Sequence, residues 1–211
     1  MAQMASSRPL PPREIGEREA SRPQAPSLAN PAALGLGGFA FTTFVLNVVN
    51  AGLLTRESLG MVLPMGLFYG GLAQFMAGMW DIRRGDVFGG TCFSSFGAFW
   101  MGLGVMVILE MNGIIAPVPR AGMAVFLLSW GFFTAYATIA SLKTSKGVAA
   151  IFVALTILFL LLAWGEYNDT VKKIAGYEGM LTALIAWYCS AAVLINSTWG
   201  REILPLGHFK K

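Results

Sequence analysis

Charge and titratable chemistry are scarce in this chain. Of its 211 residues 12% are charged, against about 25% in a soluble domain. One histidine, His208, and two cysteines, Cys92 and Cys189, supply all its imidazole and thiol. A lone His in the C-terminal tail removes most metal and Ser–His chemistry. Two Cys far apart inside apolar segments make neither a disulfide framework nor a metal site, and they read as small apolar side chains. The chain has no Walker phosphate loop, no HExxH and no GxSxG arrangement, so ATP coupling and hydrolytic catalysis are not expected. The net charge of +4 sits in tails and loops without a basic stripe, which argues against a nucleic-acid partner. No catalytic residue, metal or cofactor is expected.

What is abundant is apolar surface: 55% of residues, with a mean hydropathy of +0.62. The chain therefore reads as an all-α integral membrane protein. Residues 1–29 hold five prolines and alternating charges but no continuous apolar run. They read as a disordered cytoplasmic tail rather than a cleaved signal. Six apolar spans follow, at 32–54, 59–80, 87–110, 119–142, 147–165 and 178–199. Each has about the 20 residues that cross a bilayer. They make one transmembrane domain over 30–200, with 201–211 as a cytoplasmic C-terminal tail.

Lys and Arg set the orientation. The two tails and the turns at 81–86 and 143–146 carry eleven of them, and the opposite loops carry four. Both termini are thus expected in the cytoplasm, and the protein is expected in the plasma or inner cell membrane as a multi-pass protein.

Inside the spans a few residues stand out. Asn30 and Pro31 suit a helix start, as cap and first residue. Thr43, Asn47 and Asn50 share a face of helix one, where they serve either interhelical hydrogen bonding or a polar path, and both readings stay open. Thr42 neighbours them. Gly66 and Gly70 form a GxxxG pair for close helix packing. Gln74 places an amide in hydrocarbon, where it needs a partner. In FGGTCFSSFGAFWM (88–101) and the residue after it, Ser94, Ala98 and Gly102 recur every fourth residue and predict a smooth packing stripe. Glu110 lies at the outer end of the third expected span and is a weak candidate for carrying protons.

Several motifs then resemble one family. Asn30-Pro31-Ala32 with Leu34-Gly35-Leu36 is similar to the NPAPLGL signature of the acetate uptake transporters, the family of the succinate–acetate permeases. Tyr69-Gly70-Gly71-Leu72-Ala73-Gln74, Ala77-Gly78, Phe88-Gly89, the 91–100 stretch and Leu204-Pro205-Leu206-Gly207 resemble it too. The resemblance covers about residues 30–207. It implies six helices per subunit, a homo-hexamer in the lipid bilayer, and one pore in each subunit. It implies transport of acetate and related short carboxylic acids, usually coupled to protons, through an apolar constriction. By motif, that constriction falls on Phe39, Phe96 and Leu155. Phe96 replaces the family's Tyr, and Ala33 replaces the second signature Pro. Leu36, Thr42 and Gln74 are the expected substrate-binding residues.

Geometry adds an independent check. Phe39, Phe96 and Leu155 lie eight or nine residues into three parallel spans, roughly 12–14 Å deep, and can form a ring. Gln74, about six residues from its helix end, lies roughly 9 Å deep. Thr42 is one turn beyond Phe39, so donors are expected on both sides of the ring. A carboxyl of pKa near 4.3 is only about 0.2% protonated at pH 7, so coupled uptake would favour an acidic exterior. The free amides at the start of helix one would attract an anion. The competing readings are a passive channel for small neutral solutes such as ammonia or urea, and a non-transporting membrane sensor.

Overall fold

The computed structural model describes residues 28–207 and 209. The expected tail lies outside the described residues but for its last two, as does His208. Among the described residues six helices are long and apolar enough to cross a membrane. They are α1 (Ala32–Asn50), α2 (Arg56–Arg84), α3 (Val87–Met111), α4 (Arg120–Ser141), α5 (Lys146–Gly165) and α6 (Asp169–Trp199). No strand occurs among the described residues. Large apolar side chains such as Phe132, Ile139 and Val125 face outward, as a hydrocarbon solvent allows.

The caps explain where several helices begin. Asn30 Oδ1 accepts from Ala32 N at 2.9 Å. Asp86 Oδ1 accepts from Gly89 N at 2.9 Å, and Ser145 Oγ from Val148 N at 3.2 Å. Asn168 Oδ1 accepts from Thr170 N and Val171 N. Each satisfies a backbone donor that the first turn leaves open. Between α2 and α3 the chain reverses on Gly85, whose φ of +83° few other residues adopt.

α2 is not uniform. A 3₁₀ turn at Arg56–Ser58 leads into Leu59–Pro64, then a π-helical stretch at Met65–Ala73, then α-helix over Gln74–Arg84. Pro64 has no N–H to give and its ring crowds the carbonyl four residues back, so the hydrogen-bond register changes here. Such π stretches are frequent at functional sites, and Gln74 follows this one directly.

Each helix touches the next in the chain, and α6 packs along α1, so the six close into a ring. Small residues set the close approaches. A methyl on Gly70 would strike Thr42, and one on Gly78 would strike Ser94 and Gly90 O. Met101 approaches Gly71, Leu67 approaches Gly104, and Gly97 lies on the backbone of Phe75. The packing face of α3 therefore runs Gly90, Ser94, Gly97, Met101, Gly104. Ser94 of the expected stripe belongs to this face, while Ala98 and Gly102 are exposed in the single chain. The α3–α4 seam is filled by rings instead. Phe96 meets Phe133 at 5.3 Å and Phe99 meets Trp130 at 5.0 Å between centroids.

Trp80, Trp164 and Trp199 are exposed near helix ends, where indole suits the interface. The C-terminal segment does not leave the bundle at residue 200. Asn196 holds Ile203 N and Leu204 N through its Oδ1 and Leu204 O through its Nδ2. Tyr188 OH donates to Pro205 O at 2.8 Å. Leu206 O and Gly207 O then accept from Gly147 N and Lys146 N at 3.0 Å. Residues 203–207 thus fold back over the start of α5, a continuation of the bundle and not a separate tail.

Candidate transport path

Two cavities lie inside the ring of helices. The larger, about 210 Å³, opens toward the end that carries Asn30, the Gly85 turn and Leu206. The smaller, about 30 Å³, extends toward the other end, past Leu46 and Asn47. The residues common to both walls are Phe39, Phe96 and Leu155. About 10–15 Å³ suffices for one water, so the larger space admits a small solute and the smaller one a water or two.

Phe39, Phe96 and Leu155 come from α1, α3 and α5 and are 5%, 3% and 3% exposed. The rings of Phe39 and Phe96 stand 5.9 Å apart, tilted by 54°. Phe96 also meets Trp130, Phe133 and Phe152. Its surroundings are aromatic, which suits the absence of a hydroxyl at this position.

Polar groups flank these three on both sides. In the larger cavity Gln74 is 1% exposed, and its Oε1 is buried without a hydrogen-bond partner. Leu36 and Asn30 share that wall. α2 continues ten residues past Gln74 to Arg84, so Gln74 lies roughly 15 Å from that helix end, deeper than the sequence spacing predicts. In the smaller cavity the wall includes Thr43 and Asn47, and Thr43 Oγ1 is likewise buried without a partner.

Thr42 is in neither wall. It points at α2, against Gly70, and its hydroxyl donates to Met65 O at 3.4 Å within the π stretch. One residue along a helix is a 100° turn, so its neighbour Thr43 takes the inward position. The polar face of α1 bonds mostly within its own helix. Asn47 Nδ2 donates to Thr43 O at 2.8 Å and Asn50 Nδ2 to Asn47 Oδ1 at 3.2 Å. Gly179 of α6 lies directly on Asn47.

The start of α1 also differs from expectation. The Ala32 amide is already taken by Asn30 Oδ1, which accepts a second bond from Arg84 Nη1 at 3.0 Å. Asn30 thereby positions a cation at the cavity mouth, and the helix start offers fewer free amides to an anion than its sequence implies. Pro31 supplies the carbonyl that receives Leu34 N and Gly35 N.

Glu110 Oε1 accepts from Val118 N at 2.8 Å and pins the loop beyond α3. It is not the only acid in a helix that crosses. α6 begins at Asp169 and so includes Glu178, whose Oε1 accepts from Thr182 Oγ1 at 3.0 Å. α2 runs to Arg84 and so includes Asp81, 1% exposed and in the wall of the larger cavity. Hydropathy hides Asp81, because the apolar run by itself stops the second span at residue 80, whereas Glu178 is the first residue of the sixth expected span. Neither carboxyl interrupts its helix.

A ring of apolar transmembrane helices around two cavities that meet at three apolar side chains defines a membrane transport protein. A family model described as GPR1/FUN34/yaaH matches residues 16–209. The chain belongs to the GPR1/FUN34/yaaH family. It is 37% identical to the succinate-acetate/proton symporter SatP of Escherichia coli over 182 residues, which cover 85% of this chain and 96% of that protein. It is 33% identical to acetate permease A of Emericella nidulans, over 88% of this chain and 68% of that one. The solved structure of the bacterial acetate channel SatP superposes with a TM-score of 0.82 at 37% identity, over 85% of this chain and 99% of that chain. These relatives are transporters or channels, not enzymes.

Proposed function

We propose that the chain conducts acetate and related short carboxylic acids across a cell membrane as the undissociated acid, one proton accompanying each carboxylate. The observation that carries this reading is the pair of cavities meeting at Phe39, Phe96 and Leu155, with an unpartnered polar atom on each side. An apolar ring offers nothing that replaces the water around a carboxylate. The neutral acid leaves far less hydration behind.

Gln74 has the matching groups. Its amide offers an acceptor oxygen and a donor nitrogen, and a carboxylic acid offers a donor hydroxyl and an acceptor carbonyl. The two can pair through two hydrogen bonds. Thr43, which can donate or accept, would receive the acid on the other side of the ring. Leu36 would confine the alkyl end, and Asn30 with Pro31 would set the mouth.

Relatives carry the words "proton symporter" and "channel". The two meet in a pore that passes only undissociated acid. Acid equilibrates, carboxylate accumulates on the alkaline side in proportion to the proton ratio, and no alternating state is required. The Lys and Arg distribution supports a cytoplasmic location for the Asn30 end and both termini. A homo-hexamer with one path per subunit comes with the family resemblance, and light scattering in detergent tests it.

The decisive experiment is uptake of labelled acetate into liposomes holding the full chain. At fixed total acetate the rate should fall about tenfold per pH unit at pH values well above the acid's pKa, without charge movement. A rate that ignores pH and follows membrane potential would exclude passage of the acid. Uptake no faster than in empty vesicles would exclude the substrate class.

A further inference from the structure

The wall of the larger cavity holds a second unpartnered oxygen besides that of Gln74. Asp81 Oδ2 is buried and accepts no hydrogen bond, although Asp81 is 1% exposed. Its other oxygen, Oδ1, accepts from Arg84 Nη1 at 2.8 Å. The ion pair therefore occupies one oxygen and leaves the other, packed against Gly89 in the cavity wall, without a partner. Burying an acceptor without a donor is costly, so a purely structural carboxylate would be expected to fill both.

Asp81 lies seven residues past Gln74, two turns along the same face of α2 and roughly 10 Å nearer the mouth. The charged groups about it are few. Arg84 is on its own helix. Asp86 caps α3, and a methyl on Gly89 would meet Asp81 Oδ2 together with Asp86 Oδ2, the latter at 3.1 Å. α1 contributes the neutral Asn30, bonded to the same Arg84 nitrogen. Arg84 is 27% exposed, so the cluster reaches solvent.

We propose that Asp81 Oδ2 is the proton acceptor of the path, taking the acid proton as the substrate moves from Gln74 to the mouth. The O–H bond of the carboxylic acid breaks and one forms on Oδ2. The electron pair stays on the substrate oxygen, which becomes a carboxylate. Arg84, relieved of its counterion, pairs with that carboxylate. Asp81 then passes the proton to water at the mouth, and the reverse sequence loads a departing substrate. This inference rests on the reading that acetate crosses the ring as the neutral acid.

The test uses the full chain in liposomes, with acetate uptake and acetamide flux measured side by side. Acetamide resembles the acid in size but has no proton to give up. Asp81→Asn should lower acetate uptake about tenfold and leave acetamide flux unchanged. Imidazole trapped on the Asp81 side should restore much of the lost rate by acting as the missing base. Asp81→Asn combined with Arg84→Gln leaves no charge unpaired. It should show the same split, which guards against a single variant that fails to fold. Glu110→Gln and Glu178→Gln, acids outside both cavity walls, should match the wild type. Equal loss of acetate and acetamide in both Asp81 variants would make Asp81 structural and overturn the proposal. Unchanged acetate uptake would also overturn it. If the wild type itself carries no acetate, the substrate reading fails, an outcome distinct from a wild type that transports beside an Asp81 variant that transports equally well.

Discussion

The ring of Phe39 stands 5.9 Å from that of Phe96, and with Leu155 these two residues are all that the cavities on either side have in common. Helices α1 and α3 thus meet through two rings where the two cavities adjoin. Removing either ring should join the two spaces.

Phe39→Ala is the direct check. Loss of a buried Phe side chain costs about 3–5 kcal/mol, so the melting temperature in detergent should fall. Flux should move the opposite way, with acetate passage at pH 8 rising at least tenfold because water now bridges the cavities. A variant that is both less stable and less permeable would mean that the ring does not limit flux.

Gln74→Leu separates function from stability. Gln74 Oε1 has no protein partner, so replacing the amide by an apolar group of similar size should cost under about 1 kcal/mol or even stabilise. Acetate uptake should fall tenfold or more. Thermal stability and initial uptake rates on one preparation read both effects.

Two neighbouring threonines should part company. Thr43→Val, in the wall of the smaller cavity, should slow acetate uptake severalfold at unchanged stability. Thr42→Val removes a hydroxyl bonded to Met65 O. It should cost about 1 kcal/mol and leave the uptake rate per folded protein near wild type. The reverse ranking would put Thr42 in the path.

Glycines on α2 and α3 give a packing contrast. Gly78→Ala drives a methyl into Ser94 and to 2.9 Å from Gly90 O, backbone that cannot swing aside. A loss of about 1–3 kcal/mol is expected. Gly102 has open space around it, and Ala there should be tolerated or slightly stabilising, since Ala favours a helix by up to about 1 kcal/mol. Thermal melts of the two variants decide it.

Truncation after Ile203 should open the mouth of the larger cavity. It removes Leu206 from the wall and the carbonyls that receive Lys146 N and Gly147 N. Loss of two such bonds costs about 1–3 kcal/mol. Proteolysis near residues 145–148 should then speed up, and that measurement reads the change directly.

The helical class follows from the amino-acid sequence by itself. Six runs of about 20 apolar residues can satisfy their backbones in hydrocarbon only as helices. Short turns such as 85–86 make neighbouring helices antiparallel, and Asn30, Asp86, Ser145 and Asn168 mark helix starts by their chemistry. The meeting of Phe39, Phe96 and Leu155 is implied by the family resemblance, and their equal depth on three parallel helices agrees with it. Which side chain faces the cavity is not legible in the sequence. Thr42 and Thr43 differ by 100° of rotation, and only the packing of α1 against Gly70 decides which turns inward. The same holds for Asp81. An acid just past an apolar run reads as a solvated turn, until the helix continues to Arg84 and carries it into the cavity wall. Hydropathy determines that a segment crosses the membrane. The rotation of each helix, and so the lining of the path, is set by close contacts between residues far apart in the chain, which no single span encodes.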